Sequence, residues 1–329
     1  MSFDVTRRQL LATGAAAAAL PLVGQRAFAQ NGWPNKPIRI VVPYPVGGQT
    51  DMIARAYGEF IGRQLGQPVV VENKAGAGGT VGAVEVKRAP ADGYTLMCTI
   101  STTLIANRVM IKNLPYDPDK DFTLVSLITG EGLPFVVSEK CGATNLKEFV
   151  DYAKKAEKVS VGTYAAGSTP HMVIAELNKQ YGINIEPVHY RGEAPMWADL
   201  ASQSIDGAMG SYTAALPVLQ TGRGKTIASV SRPIRALPEV KTLTQQGATS
   251  KLFDLTGFTG ILAPAGTPME IVKKLSDLMV AGGKDEKTQA ALSSFAIYPP
   301  IGYEAAQKLY REETPLWLQF MGNLNLTPT

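Results

Sequence analysis

Residues 38–55, IRIVVPYPVGGQTDMIAR, constrain the fold more than any other stretch. An apolar run of Ile38, Ile40, Val41 and Val42 reads as a strand buried on both faces. Pro43, Pro45, Gly47 and Gly48 end it in a turn. Thr50 or Asp51 is then placed to cap a helix whose apolar face is Met52, Ile53, Ala56 and Phe60. Strand, glycine turn and helix start, in that order, aim unpaired backbone N–H groups at the turn and make a small anion site. An ordinary strand-to-helix connection in an α/β domain has the same pattern, so the stretch fixes the fold class before it fixes a ligand.

The same unit recurs along the chain. Residues 69–71 form a second buried strand, followed by the turn Lys74-Ala75-Gly76-Ala77-Gly78-Gly79-Thr80 and a helix over 81–87. Residues 94–100 form a third strand, and Ser101, Thr102 and Thr103 lead into a helical 104–110. Prolines and charges mark 112–132 as an irregular surface segment. Strands at 134–138, 159–164, 185–190, 205–209 and 226–231 then deliver the polar loops AAGSTPH, RGEAPM and GSYTAALP, each opening a helix. A strand at 256–264 and helices out to residue 324, with Pro315 near a kink, complete the pattern. We expect an α/β fold of two domains, each a mostly parallel sheet flanked by helices, with a ligand cleft between them. The boundaries are 31–133 plus 255–329 for a discontinuous first domain and 134–254 for the second.

Residues 1–29 stand apart. Arg7 and Arg8, an Ala/Leu-rich run over 10–23, and Ala27-Phe28-Ala29 form the charged region, apolar region and cleavage site of an export signal peptide. TRRQLL is similar to a twin-arginine signal, with a Sec signal as the alternative. No other stretch approaches the roughly 20 apolar residues of a membrane span. Without the leader, 29 basic and 27 acidic residues leave a net charge of +2, and no basic run points to nucleic acid. Cys98 and Cys141 are the only cysteines, and two free thiols, one of them buried in an apolar strand, are expected.

The chemistry-bearing motifs are mostly negative. From Gly76 the G-x-G-x-x-G pattern fails, since its sixth position is Val81 and the glycine falls at Gly82, so a tight structural turn is expected. His171 and His189 are the only histidines, no Cys/His/Asp/Glu cluster has metal spacing, and no catalytic elbow or P-loop occurs. No metal, no cofactor and no catalytic residue is assigned. Ser168 and Thr169 offer hydroxyls at a helix start with Pro170 behind them, which suits a carboxylate or a plain cap. Arg191 is placed either to fork onto a carboxylate or to pair with Glu193. Tyr44, Tyr164 and Tyr212 lie at strand ends whose loops converge.

VPYPVGGQTDMIAR, VVVENKAGAGGTVGA, ADGYTLM, VHYRGEAPMWADL and ILAPAGTP, in this order and over essentially the whole mature chain, resemble the Bug family. Those are the extracytoplasmic solute-binding proteins of tripartite tricarboxylate transporters. The resemblance implies a two-domain type II periplasmic-binding fold and a periplasmic receptor without catalysis. It also implies a small carboxylate ligand, a dicarboxylate or an aromatic acid, delivered to a membrane permease by domain closure, with no membrane insertion and a monomeric state. One jaw is implied to carry Tyr44, Val46, Gly48, Gln49, Thr50 and Asp51 with Ser101 and Thr102. The other carries Ala166, Gly167, Ser168 and Thr169 with Tyr190 and Arg191, and Tyr212 lies beside it. Val46 and Gln49 depart from the family's proline and third glycine, which brings Gln49 into the site. Gly210 stands where relatives carry an acid, which leaves room beside Tyr212 for a bulkier acid. The alternatives are an exported α/β enzyme using Asp51, His171 or His189 as acid or base, and the binding component of a sensor.

Overall fold

The computed structural model describes residues 32–190, 192–324, 326 and 328, so the export signal expected at 1–29 lies outside the described residues. Ten strands carry the architecture: β1 (Ile38–Val42), β2 (Val69–Asn73), β3 (Thr95–Ile100), β4 (Phe122–Thr129), β5 (Leu133–Ser138), β6 (Val159–Thr163), β7 (Ile185–His189), β8 (Gly207–Met209), β9 (Gly224–Val230) and β10 (Phe258–Pro264). They form two five-stranded sheets of order β2-β1-β3-β10-β4 and β7-β6-β8-β5-β9. The short apolar runs IRIVV and TLMCTI are central strands with helices on both faces, which is why they lack a polar alternation.

Each sheet has one strand against the grain. In the first, β1 pairs in parallel with β2 and β3, while β10 is antiparallel to both β3 and β4. In the second, β6 pairs in parallel with β7 and β8, while β5 is antiparallel to β8 and β9. Four strands of each sheet therefore run one way, as expected. The odd strand in each case is the one that has just arrived from the other sheet.

The segment 112–132 departs from the sequence reading. The prolines and charges stop at Asp121, and β4 is an eight-residue strand whose side chains are nearly all buried. Its polar residues have partners inside: Ser126 Oγ donates to Ile301 O at 2.7 Å, and Thr129 Oγ1 accepts from Arg232 at 2.8 Å. Such an alternation looks solvent-facing until its internal partners are known. Cys98 and Cys141 are free, as expected, but both are buried.

The chain passes from sheet to sheet at two adjacent places. Gly130 to Gly132 joins β4 to β5, and the return reaches β10 through Gly257. Thr129 is the register partner of Phe258, and Gly130 N–H donates to Gly257 O at 3.4 Å, so the two crossings lie side by side. Arg235 pairs with the buried Glu131 across the junction, and Arg232 and Arg235 lie over the Tyr298 ring at 5.2 and 5.6 Å.

Glu313, on the C-terminal helix Tyr303–Gly322, sits against the return crossing. Burial pushes its carboxyl up to about 6, against hydrogen bonds from the Trp317 indole at 3.4 Å and the Thr256 N–H at 3.5 Å and the field of Arg232. A folded value above the ordinary one means that the native state favours the protonated acid. That contribution is complete below about pH 4.5 and is lost as the pH rises through 6. Glu313→Gln is therefore expected to stabilise the protein by about 1–2 kcal/mol at pH 7.5 and by nearly nothing at pH 4. Urea titrations at the two pH values check this, and equal effects at both would refute it.

Candidate functional site

A cavity of about 860 Å³ opens between the two sheets, with the crossings Gly130 and Gly257 in its rear wall. Three helix starts face it. The first belongs to the helix Gln49–Leu65, whose N-cap is Gly48 with no side-chain cap. Gln49 and Thr50 line the cavity, and the first N–H groups of this helix have no intrahelical acceptor.

Neither Thr50 nor Asp51 is the cap that the sequence led us to expect. Asp51 is 1% exposed and turns away from the cavity. Its carboxylate accepts from Gly47 N at 2.9 Å, from Asn73 Nδ2 at 3.0 Å and from the Arg55 fork at 2.9 and 3.1 Å. Burial pushes the carboxyl up, but these donors outweigh it and hold Asp51 below the ordinary range. Its job is to fasten the 43–48 turn, in which Gly47 has φ +84°, to the end of β2. The physical reason is the donor set: a carboxylate surrounded by four internal donors has no lone pair to spare and would repel an anion.

The second start follows β3. Ser101 precedes a π-helical turn, Thr102–Ala106, again without a side-chain cap, and Ser101 and Thr102 both line the cavity. Behind this turn Tyr44 OH and Thr103 Oγ1 are 2.6 Å apart, so Tyr44 buttresses the wall and does not form it. The glycine turn packs on the same segment, with Asn107 Nδ2 donating to Gly78 O at 3.0 Å. A Cβ on Gly79 (φ +93°) would lie 2.3 Å from Thr103 Oγ1, so glycine is required there for close packing. Ala77 and Gly78 border the cavity, which the reading of this turn as purely structural had not included.

The third start lies on the other sheet. Ala166, Gly167, Ser168 and Thr169 line the cavity at the head of the helix Thr169–Tyr181. Ser168 is the N-cap by position, yet its hydroxyl donates to Ala165 O at 2.6 Å and does not cap the helix, whose Thr169 N–H meets the Tyr164 phenol. Elsewhere Asn145, Ser211 and Asp285 do cap their helices through their side chains. Tyr164 joins the wall, its phenol pushed up to about 12 by burial.

The remaining described site residues named from the sequence do not line the cavity. Val46 is 71% exposed, Gly48 only caps its helix, and Tyr212 begins the helix Tyr212–Gln220 outside the wall. Tyr190 turns to its neighbour helix, where its hydroxyl donates to Asp199 at 2.7 Å. Arg191 lies outside the described residues. The room assigned to Gly210 is filled: a Cβ there would lie 3.0 Å from Trp197 and 3.1 Å from the Glu193 carboxylate. Glu193 is held in that place by Ser211, whose N–H and hydroxyl donate to it at 3.0 and 2.6 Å.

Sequence reasoning missed the apolar half of the wall. Met110 and Ile111 border the cavity from the first lobe, and Phe258 and Trp317 close its back. Trp317 lies far along the chain from every motif, so no local signal marked it. Among the described residues that line the cavity there is no Asp, Glu, Lys, Arg or His. Within the described wall, attraction for an anion comes from the three helix starts, with serine and threonine hydroxyls beside them. Among the described residues no group of His, Cys, Asp or Glu is arranged to hold a metal ion, and no helix is long and apolar enough to cross a membrane.

Comparison with known proteins agrees with this geometry. Residues 53–311 match the model of the tripartite tricarboxylate transporter family receptor. A UPF0065 protein from the TAR-I ttuE-ttuC' intergenic region of Agrobacterium vitis is 32% identical over 286 residues, covering 86% of this chain and 81% of that protein. Among solved structures, R. palustris Rpa4515 with adipate has TM-score 0.73 and 27% identity, covering 91% of this chain and 100% of that one. MatC from Rhodopseudomonas palustris with bound malate has TM-score 0.66 and 28% identity, covering 88% and 100%. The chain belongs to the receptor family of tripartite tricarboxylate transporters, a family of solute-binding proteins and not of enzymes.

Proposed function

We propose that this protein captures a small carboxylate, a dicarboxylate or an aromatic acid, by closing two lobes around it. The bound acid is then delivered to a tripartite tricarboxylate-type membrane permease. The observation that carries this reading is the meeting of three helix starts without side-chain caps in one cavity whose wall, among the described residues, has no ionised side chain. A carboxylate there receives backbone N–H and hydroxyl donors from both sheets, so the closed form binds it better than the open form does. The first lobe comprises 31–133 and 255–329, and the second 134–254. The adjacent crossings at Gly130 and Gly257 serve as the hinge. Residues 1–29 direct export to the periplasm, where the receptor works as a monomer.

A melting-shift screen of the mature protein with succinate, malate, adipate and benzoate tests this. Ligand at 100 times its Kd stabilises the native state by about 2.7 kcal/mol, a shift of several degrees. At least one acid is expected to reach it and to be recovered unchanged. A flat response to every acid, or a shift only with amines and neutral sugars, would sink the proposal.

A further inference from the structure

The loop that carries Ala166, Gly167 and Ser168 is bracketed from behind by the two histidines. Gly167 N–H donates to His171 Nδ1 at 3.1 Å, so Nδ1 carries no proton and the ring is neutral. At the other end of the loop, Thr163 Oγ1 lies 2.7 Å from His189 Nδ1 and 3.2 Å from Ala165 O. The two rings meet edge to face with centroids 4.4 Å apart. Gly167 itself has φ +74°, a conformation open to glycine without strain, so the hydrogen bond to His171 fixes one of several shapes the loop can take.

We infer that His171 is the positioning residue for this jaw: neutral, it holds Gly167 in the shape that receives a carboxylate, and protonated, it releases the loop and weakens binding. The inference rests on reading this loop as part of the ligand site. Adding a proton to Nδ1 turns the acceptor into a donor aimed at the Gly167 N–H, and it places a cation in a half-buried ring beside a second imidazole. Among the described residues no charge acts on His171 to compensate. The helix Thr169–Tyr181 packs against β6, β7 and the turn Lys251–Asp254. β6 has no ionisable residue, β7 has Glu186 and His189, the turn has Lys251 and Asp254, and the helix itself has Glu176, Lys179 and Tyr181 besides His171. Of these only His189 acts on His171; burial, then that ring, push its pKa down to about 4.

The sign follows from that depression. With the loop held, His171 stays neutral down to about pH 4, whereas a freed imidazole titrates near 6.5. The anchoring is complete above about pH 6.5 and is lost as the pH falls toward 4. Binding of an acid therefore weakens over this window by more than the acid's own protonation explains.

Two measurements test it. In His171→Asn the amide oxygen takes the place of Nδ1 as an acceptor but cannot titrate, while His171→Phe keeps a ring and removes the acceptor. In nitrogen-15 spectra of the ligand-free protein, the Gly167 amide resonance is expected to shift, and its exchange to accelerate, from pH 7 to 4.5 in the wild type but not in His171→Asn. Calorimetry with succinate, malate, adipate and benzoate is expected to show wild type and His171→Asn within threefold of each other at pH 7. His171→Phe is expected to bind about tenfold more weakly, and at pH 4.8 His171→Asn becomes the tighter binder. A Gly167 amide indifferent to pH, equal pH profiles in wild type and His171→Asn, or full affinity in a folded His171→Phe would each overturn the inference. If no acid binds the wild type, it is the proposed function that fails, and the Gly167 resonance still decides whether His171 anchors the loop.

Discussion

Asp51→Ala is expected to lower the stability of the protein by about 1–3 kcal/mol at pH 7, because it removes the buried carboxylate that gathers the donors of Gly47, Asn73 and Arg55. Gly47 N–H would lose its acceptor and Asn73 Nδ2 would keep only Tyr44 O, at 3.1 Å, and both groups fasten the turn before the helix Gln49–Leu65. Arg55 contributes less to the loss, since its side chain is 45% exposed and rehydrates. The deficit depends on pH in a defined direction. Internal donors hold the Asp51 carboxyl below its ordinary value despite its burial, so its stabilisation is complete above the ordinary carboxylate range. It is lost as the pH falls through the depressed folded value. Wild type and variant should thus converge in acid, and urea titrations at pH 7 and pH 3 check this. The same substitution is expected to weaken acid binding at least tenfold, because Gln49 and Thr50 are displaced with the turn. A variant as stable as wild type at pH 7 would remove Asp51 from its structural role.

The second large effect is steric. In Gly132→Ala the new Cβ would lie 1.8 Å from Arg232 O and 2.1 Å from Ser229 Oγ, two atoms that hydrogen-bond each other. One of them is backbone, so β5 and β9 must separate at Leu133 and Val230, where they are in register. We expect a loss of about 3 kcal/mol or more, at the upper end of overpacking costs. Gly130→Ala is the control on the same crossing: the nearest atom to its Cβ is Ala296 O at 3.9 Å, which is ordinary contact. That variant should stay within about 1 kcal/mol of wild type. Equal melting temperatures for the two variants would show that the Gly132 backbone has more freedom than these distances allow.

Much of the candidate site was legible because its parts are local. Gln49, Thr50, Ser101, Thr102 and residues 166–169 each follow an apolar strand and open a helix, and a dozen residues of sequence carry that signal. Asp51 was misjudged for the opposite reason. Its identity and position suit a cap or a ligand contact, and only Asn73, on another strand, shows that its lone pairs are taken. Tyr190 and Tyr44 follow the same rule, with Asp199 and Thr103 claiming the hydroxyls offered to a ligand. The empty place inferred at Gly210 was filled by Glu193, seventeen positions earlier in the chain and across a helix turn.

By itself the sequence determined the alternation of strand and helix, the glycine turns between them, and the absence of metal and nucleotide motifs. These follow from turn chemistry and periodicity, which act over a few residues. The tertiary structure alone decided that three helix starts share one cavity, that β4 is an internal strand, and that Phe258 and Trp317 form the rear wall. Those facts depend on which distant segments pack together, and no residue encodes its long-range partner in its own neighbourhood.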